Sequence, residues 1–316
     1  NEKELSLDSK DVKSSLKREA LIDSVRAYTH VFKKNAKPIA FYSEIAPTEN
    51  LFQEVIEKLA YRYIHQKKYN DAVKLLRTLS ERNSNPEKVL NIYKEVLLMI
   101  PLNKRVDVPI AEIEFVISRF LQFSNFYRLK NNVRKSTYDF FEKQLRDLAT
   151  RSHQRGKKSR GIIKEDYFEK AAAFYNLYFA TFKKSEHSVK MAMNMGDTHY
   201  RLKNYLKSGD YYIRVFKGEF GKTSQRGDSI KNAIYALQKN KEYSFYETRR
   251  VNGLLIEALK NYMKFDKSKV RDPKTNYSLA KAYYDQGFYQ SALPKLYSYI
   301  KRFPKAKYST DAADLI

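Results

Sequence analysis

Apolar side chains recur along most of this chain at the three- and four-residue steps expected of helices with one buried face. In the last complete example, the buried positions would be Leu279, Ala280 and Tyr283 on one helix, then Ala292, Leu296 and Tyr299 on the next. Gly287 separates the two runs, and Pro304 ends the second, because a proline inside a helix removes a hydrogen bond and clashes with the preceding turn. The pattern predicts two antiparallel helices joined by a short turn.

Small residues occupy the point at which the two helices of such a pair must approach closely. They stand twelve positions apart in three places: Ala60 with Ala72, Gly196 with Ser208, and Ala280 with Ala292. The gap is stretched to 22 positions in two further pairs: Ala149 with Ala171, and Ala236 with Ala258. We therefore predict enlarged turns in these two pairs, at RSHQRGKKSRG and at KNKEYSFYETRRVN.

This helix-turn-helix pattern, with small, aromatic and proline residues at fixed offsets, resembles the tetratricopeptide repeat (TPR), whose period is about 34 residues. The resemblance implies an all-α fold, a right-handed α-solenoid whose helix pairs stack because one pair cannot bury its apolar face alone. The predicted repeat units are 48–86, 87–125, 134–182, 188–220, 229–266 and 273–305, and 306–316 starts a further helix. Residues 1–47 are predicted to form an N-terminal capping helix and a loop marked by Pro38 and Pro47.

The C-terminal stretch YYDQGFYQSALPKLYSYIKRFPKAKYSTDAADLI has a more particular pattern. Its Y-x-x-G-x-Y-x-x-A turn and F-P-x-x-x-Y-x-x-D-A exit are similar to the TPRs of bacterial cell-envelope proteins. Examples are the outer-membrane lipoprotein of the β-barrel assembly machinery and the periplasmic TolA-binding division coordinator. The whole chain also resembles envelope TPR proteins of gliding or predatory deltaproteobacteria. Because these families are non-catalytic scaffolds, the resemblance implies a scaffold in the periplasm or at the outer membrane.

The chain is strongly basic, with 61 lysine and arginine residues against 36 aspartate and glutamate residues and a formal net charge of +25. Such a charge favours anionic partners, which include acidic proteins, anionic lipid or glycan, and nucleic acid. Basic, solvated helix faces without a specific partner would explain it as well. Cysteine is absent, which excludes disulfides, thiolate metal sites and a cysteine nucleophile. No apolar run approaches the roughly 18 residues of a membrane-spanning helix.

The sequence offers no catalytic motif. The five histidines do not have the spacing of metal ligands, and His199 falls at an aromatic packing position, which predicts a core residue. The Gly-Lys-Thr of GEFGKTSQRG lacks the upstream glycine and the preceding strand of a phosphate-binding loop. We therefore predict no enzyme, no cofactor and no metal site in these residues.

Two sets of residues are candidates for binding a partner. The first is the inner wall of the solenoid, which in TPR proteins is formed by the first helix of each pair, at positions offset from its packing stripe. That offset gives Tyr61, His65, Lys143, Arg146, His153, Tyr200, Arg201, Lys241, Tyr277, Lys281 and Tyr284. Basic groups among tyrosines suit an acidic, extended peptide. The second set is a basic loop with the residues Arg151, Arg155, Lys157, Lys158 and Arg160, which suits phosphate, lipid headgroups or an acidic partner.

The leading hypothesis from the sequence is a non-catalytic TPR scaffold of a bacterial envelope, with an acidic or extended protein partner in a basic, tyrosine-rich groove. The alternative is a cytoplasmic TPR module that binds nucleic acid or acidic regulatory proteins. An enzyme with appended TPRs would require a catalytic domain outside these residues. The chain starts at Asn1 and stops at Ile316 within a helical pattern, so we expect it to be a piece of a longer protein whose targeting segment lies elsewhere.

Overall fold

A computed structural model describes residues 2–31, 37–102, 113–119, 131–182, 185–240 and 245–316. The regular structure of these ranges is helical throughout. The first helices are α1 (Glu2–Val31), α2 (Pro38–Ile45), α3 (Glu49–His65), α4 (Tyr69–Arg82), α5 (Pro86–Leu102), α6 (113–119) and α7 (Asn131–Lys158). They are followed by α8 (Gly161–Phe182), α9 (Ser188–Arg201), α10 (Tyr205–Lys217), α11 (Arg226–Gln238) and α12 (Phe245–Phe265). A 3-10 helix at Lys267–Arg271 then precedes α13 (Pro273–Asp285), α14 (Tyr289–Arg302) and α15 (Ser309–Asp314).

The chain forms two compact units, Asn1–Gln144 (unit 1) and Leu145–Ile316 (unit 2). Unit 1 contains the pair α3–α4, and unit 2 contains the pairs α9–α10, α11–α12 and α13–α14. Each of these helices packs against its partner through apolar side chains at helical spacing. The predicted all-α fold built from TPR-like helix pairs is therefore confirmed.

The small residues lie where the paired helices touch. Ala60, Ala72, Ala280 and Ala292 are completely buried. At the third pair the Ser208 hydroxyl donates a hydrogen bond of 2.8 Å to the carbonyl of Gly196 on the facing helix. A Cβ atom at Gly196 would lie 2.8 Å from the Tyr212 ring, which is too close for van der Waals contact. The twelve-residue spacing thus marks the closest approach of the two helices.

The turns of the three regular pairs share one backbone geometry. Lys67, Lys203 and Gly287 have φ angles of +61°, +62° and +80°, and each lies seven residues after the small residue of its first helix. In each turn the next N–H donates to the carbonyl five residues back, as in Lys68 to Tyr63. This left-handed position ends the first helix and reverses the chain within three residues.

The predicted enlarged turn of the α7–α8 pair is wrong. Helix α7 continues to Lys158, so that Ser159 and Arg160 alone connect it to α8. Arginine, lysine and glutamine are good helix formers, and the charged run therefore extends the helix. Gly156 does not mark a turn either. A Cβ atom there would lie 3.1 Å from the Phe168 ring, so glycine lets α8 pack closely on α7.

Two other connections also differ from expectation or are described only in part. Helix α12 begins at Phe245, inside the second predicted enlarged turn, and residues 241–244 lie outside the described residues. The predicted N-terminal loop contains α2, which starts at Pro38 because proline fits the first turn of a helix. Tyr42 of α2 is completely buried, and its ring centroid lies 5.4 Å from that of Tyr28. Residues 103–112 and 120–125 of the predicted unit 87–125 are outside the described ranges.

Among the helices described, none combines the length and the apolar character needed to cross a membrane.

Candidate functional site

A pocket of about 350 Å³ opens between α11 and α13 in unit 2, with α12 behind it. We call it the α11–α13 pocket. Its walls are Lys231, Ile234, Tyr235 and Gln238 from α11, Leu259 and Tyr262 from α12, Lys269 and Asp272 from the connection, and Lys274, Thr275 and Ser278 from α13. The pocket is lined mainly by α11 and α13, the first helices of consecutive pairs, but none of the predicted groove residues that the structure describes lies in its lining.

The charge of the pocket lining is mainly positive. It contains three lysines and one acidic residue, Asp272. The Asp272 carboxylate is already engaged, since it accepts a 2.8 Å hydrogen bond from the Thr275 N–H and thereby caps α13. Lys231 faces the exposed Asp228 at 3.7 Å, and Lys269 Nζ lies 5.8 Å from the centroid of the Tyr262 ring. Such loosely held ammonium groups can pair with a carboxylate brought by a ligand.

Aromatic side chains extend this surface from α11 to α9. The Tyr200 and Tyr235 rings are stacked, with centroids 5.6 Å apart and an angle of 28° between their planes. Tyr205 packs edge-on against Tyr200 at 5.3 Å, and 54% of Tyr235 remains exposed. A hydrogen bond with Tyr235, together with burial, raises the pKa of Tyr200 to about 12 and keeps its hydroxyl neutral. On the other side, Gln238 donates to the Ser278 hydroxyl at 3.1 Å and connects α11 to α13.

We refer to the α11–α13 pocket together with Tyr200 and Tyr205 as the first-helix surface of unit 2. It combines the exposed Tyr235 ring and three half-buried tyrosine rings with amide and hydroxyl groups and lysines, mainly on the first helices α9, α11 and α13. These are groups for binding, since rings contact apolar side chains and lysines pair with carboxylates. No group of three or more histidines, aspartates or glutamates in the described parts of the chain is arranged to hold a metal ion.

The structure brings only some of the predicted groove residues to this surface. Tyr200 forms part of it. Arg201 is exposed but lies 3.3 Å from Asp197, and Lys281 donates to Asp285 at 2.8 Å, so each is paired within its own helix. Tyr284 packs against Tyr289, with ring centroids 5.1 Å apart. Lys241 lies outside the described residues.

Tyr277 is a core residue, contrary to the prediction. Only 9% of it is exposed, and its ring is parallel to that of Tyr308 at a centroid distance of 4.7 Å. Tyr299 also contacts it, at 5.7 Å. Tyr277 lies about 100° around the helix from Ser278, which does line the pocket. A prediction that is wrong by one residue therefore selects a core position instead of a surface position.

His153 is also buried, with 1% exposed, so the prediction that it lines a binding groove is wrong. Its Nδ1 atom lies 2.8 Å from the Thr198 hydroxyl and its Nε2 atom 3.2 Å from the Asp197 carboxylate. Lys157 and Arg201 approach the same carboxylate to 3.4 and 3.3 Å. Burial alone would raise the pKa of Asp197, but the close approach of His153 and the nearby Arg201 and Lys157 charges lower it to about 2. This cluster joins α7 to α9.

His199 confirms the prediction of a core histidine. It is buried and stacked on Tyr211, with ring centroids 5.7 Å apart and 26° between the planes. Burial, reinforced by the charge of Lys207, lowers the pKa of His199 to about 4, so the ring is neutral at physiological pH.

The remaining predicted groove residues are on α3 and α7. Tyr61, His65 and Lys143 belong to unit 1 and are exposed, while Arg146 is half-buried near the start of unit 2. Burial, with the nearby Glu95 and Glu57, raises the pKa of Tyr61. The proposed role of these four residues in binding stays a prediction.

The predicted basic loop is the last part of a helix. Arg151, Arg155, Lys157 and Lys158 lie on α7, and Arg160 is in the two-residue connection that follows. Arg151 pairs with Asp147 at 3.9 Å, and the Arg155 guanidinium lies 5.9 Å from the centroid of the Tyr167 ring. Four of the five residues therefore lie on a helix.

Sequence reasoning missed the pocket, since none of the predicted groove residues that the structure describes is in its lining. The predicted positions lie mainly on the C-terminal side of each small residue, and for Ala236 this side gives Lys241, which follows the end of α11. The lining residues lie on the N-terminal side instead, with Lys231 and Tyr235 before Ala236 and with Lys274 and Ser278 before Ala280. An offset of one residue before the small position would have found Tyr235.

Comparison with known proteins gives loose structural neighbours. No protein-family model and no curated protein matches the chain. Among solved structures, PilW, a widely conserved type IV pilus biogenesis factor, is 12% identical, with a TM-score of 0.32 over 83% of this chain and 98% of PilW. The C-terminal part of a TPR repeat-containing protein from Cytophaga hutchinsonii is 13% identical, with a TM-score of 0.34 over 93% of this chain and 97% of that one.

The TPR2AB domain of yeast Sti1, solved as a complex with a pHSP90 chain, is 11% identical, with a TM-score of 0.26 over 84% of this chain and 96% of that one. At TM-scores this low, no partner or activity is carried over from these proteins to this chain. The assignment of TPR-like helix pairs rests on the chain's own helix spacing, buried small residues and turn geometry.

Proposed function

We propose that this protein is a non-catalytic scaffold that holds an acidic, extended segment of a partner protein on the first-helix surface of unit 2. The observation that carries the proposal is the α11–α13 pocket, where three lysines lie beside the exposed Tyr235 and the half-buried Tyr262. An extended segment would place carboxylates against Lys231 and Lys274 and apolar side chains against Tyr235 and Tyr262.

The chemistry of the surface favours a peptide segment over a small metabolite. The site is open along the row of first helices, and its polar groups are spread over α9, α11 and α13. Small-molecule sites instead enclose most of the ligand and converge on it with a few fixed polar groups. A segment that runs across several repeats would also use the spacing of the helix pairs, which brings equivalent positions to regular intervals.

We further propose that the scaffold works in a bacterial envelope, in the periplasm or at the outer membrane. This part of the proposal is supported by the turn and exit motifs of Tyr284–Ala312, which are similar to those of envelope TPR proteins. Cell fractionation of the native organism, followed by immunoblotting, tests it. Recovery with periplasmic or outer-membrane fractions is expected, and recovery with the cytosol alone would contradict it.

A nucleic-acid partner is the second candidate, because the exposed Tyr235 ring beside lysines could also stack on a base. The two candidates differ in what they need. A single strand requires stacking and a row of phosphate contacts, with a steep loss of affinity as salt rises. An acidic peptide requires carboxylates at particular positions and loses affinity when glutamine replaces glutamate.

The test is a binding titration by fluorescence anisotropy with a labelled peptide of alternating glutamate and leucine. We expect binding of the acidic peptide and much weaker binding of its glutamine counterpart and of a single-stranded RNA. Reversing two pocket charges, Lys231→Glu with Lys274→Glu, is expected to weaken peptide binding by about ten-fold or more.

The matched control is Lys301→Glu with Lys305→Glu, which changes net charge equally on exposed residues outside the pocket. An equal loss of peptide binding in both double variants would show that net charge alone explains the weaker binding, and it would contradict the proposal. Tighter binding of RNA than of peptide, lost in the pocket variant alone, would favour the nucleic-acid function.

A further inference from the structure

Two neighbouring isoleucines are exposed at the start of α8. Ile162 is 85% exposed and Ile163 62%, and Ile162 has the highest exposure among the large apolar residues that the structure describes. Burial of such a side chain would stabilise the fold, and these two isoleucines do not contribute in that way. We call the segment from Arg155 to Lys164 the basic tip.

Packing within the chain does not use the two isoleucines. Further along α8, the Phe168 ring lies against Gly156 of α7. Gly161, which opens α8, has φ +57°, and a Cβ atom built there would have no atom within 4 Å. Both isoleucine side chains are exposed to solvent at the start of α8.

Basic residues precede and follow the isoleucines in sequence. Residues 151–164 contain no acidic residue, and the basic tip carries Arg155, Lys157, Lys158, Arg160 and Lys164. The next residues along α8 are acidic, but Asp166 is paired with Lys170 at 3.1 Å. Lys157 is the one tip residue with a described acidic neighbour, Asp197, and 41% of its side chain is still exposed.

We propose that the basic tip docks the protein on the surface of an anionic lipid bilayer. The two isoleucines would insert into the boundary between headgroups and acyl chains, and the surrounding lysines and arginines would lie against the anionic headgroups. This combination is what such a surface binds, because a bilayer offers negative charge above an apolar layer over a few ångströms. The inference concerns a different surface from the first-helix surface and does not depend on it.

Other anionic partners use only part of the arrangement. A nucleic-acid strand would pair with the charges but would leave two aliphatic side chains in water, since bases stack on aromatic rings. A protein partner would need a pocket shaped for a convex apolar tip inside a positive rim. The bilayer accepts the tip without a preformed pocket, and it is the occupant to which the charge and the exposure together point.

The test is co-sedimentation of the full 316-residue chain with two kinds of vesicle, phosphatidylcholine alone and phosphatidylcholine with roughly one-third phosphatidylserine. We expect binding to the anionic vesicles and little to the neutral ones. Ile162→Ser with Ile163→Ser is expected to weaken binding by about ten-fold or more while keeping the charge. Lys158→Gln with Arg160→Gln is expected to weaken it by about five-fold for each charge removed.

Three controls make the result specific to the tip. Tyr297→Ser removes an exposed apolar residue on α14, Lys222→Gln with Lys267→Gln removes two exposed charges elsewhere, and the pocket variant Lys231→Glu with Lys274→Glu alters the other proposed site. Tyr297→Ser is expected to bind vesicles like the original chain. The two charge controls should lose less affinity than the tip variants, and circular dichroism with urea unfolding checks that every variant is folded.

Failure to bind anionic vesicles would overturn the proposal. So would unchanged binding by the isoleucine variant, because the charge alone would then explain the attraction. If instead a single-stranded RNA binds, and the glutamine variant loses it while the serine variant keeps it, the basic tip would be a nucleic-acid surface and the membrane assignment would be wrong.

Discussion

The size of individual side chains determines how closely two paired helices can pack in this protein. At the α9–α10 crossing the backbone of one helix lies directly against a ring of the other, and the Ser208 hydroxyl satisfies the Gly196 carbonyl at 2.8 Å. A buried hydrogen bond of this kind contributes about 1 kcal/mol, and the close approach also increases the dispersion contacts of Tyr212. The identity of such residues is therefore set by distance more than by polarity.

Replacing Gly196 by alanine is expected to destabilise the protein. The added Cβ would lie 2.8 Å from the Tyr212 ring, so the helices must separate or the ring must shift, at a cost of about 1–3 kcal/mol. Urea unfolding followed by circular dichroism measures the change. Gly253→Ala in α12 is the matched control: no atom lies within 4 Å of its Cβ, and helix propensity predicts a gain of about 0.5–1 kcal/mol. A neutral Gly196→Ala would contradict the close crossing.

His199 gives unit 2 a defined response to acid. Burial lowers the pKa of His199 from about 6.5 to about 4. Between these two pH values the unfolded chain is therefore protonated at His199, whereas the folded chain is not. The contribution of the neutral ring to the free energy of unfolding is fully present above pH 6.5 and is lost as pH falls through 4. Between pH 7 and pH 5 the loss is about 2 kcal/mol, as an order of magnitude.

The prediction is that His199→Phe loses less stability than the original chain between pH 7 and pH 5. Urea unfolding at both values measures the difference, and His65→Phe serves as the control because His65 is exposed. The pKa of about 2 at Asp197 places the titration of that carboxylate below this range. Equal acid sensitivity of the His199→Phe variant and the original chain would show that the ring is not desolvated as described.

At the scale of elements, the turns set where each first helix ends. The left-handed position is filled by lysine in two pairs and by glycine in the third, although only glycine adopts this geometry without cost. Because the surrounding hydrogen bonds are the same, the three turns form an internal comparison of one backbone shape with different side chains.

Exchanging these residues should move stability in opposite directions. Lys67→Gly is expected to stabilise unit 1 by about 1 kcal/mol, since it removes the strain of a left-handed lysine. Gly287→Ala is expected to destabilise unit 2 by about 1 kcal/mol, and no steric clash contributes because no atom lies within 4 Å of the new Cβ. Thermal unfolding of the two variants measures both shifts. Shifts of the same sign would be incompatible with the shared turn.

The elements also show what the sequence could and could not predict. The three regular pairs were predictable because close crossing demands small residues and the helix period fixes their spacing. The short connection before α8 was not predictable, because Gly156 and a run of charges suggest a loop. In the structure these residues are helical, and Gly156 makes room for the Phe168 ring. Surface positions were harder still. A rotation of one residue separates the pocket residue Ser278 from the buried Tyr277, and apolar periodicity alone does not resolve that step.

At the scale of the whole molecule, the net charge of +25 attracts anions in general, and in our account two particular surfaces make this binding selective. The first-helix surface of unit 2 adds tyrosines and a pocket to this charge, and the basic tip adds two exposed isoleucines. The two surfaces thus differ in the apolar chemistry beside their lysines. In our account, that difference separates a protein partner from a lipid surface.

The most direct test of the central claim is site-specific photocrosslinking to the acidic peptide. A photoreactive phenylalanine derivative would replace Tyr235 on the first-helix surface or, as the control, the similarly exposed Tyr297 on α14. The account predicts crosslinked peptide at position 235, suppressed by unlabelled peptide, and little at position 297. Equal crosslinking at both positions, or crosslinking at 297 alone, would contradict the claim that partners bind on the first-helix surface of unit 2.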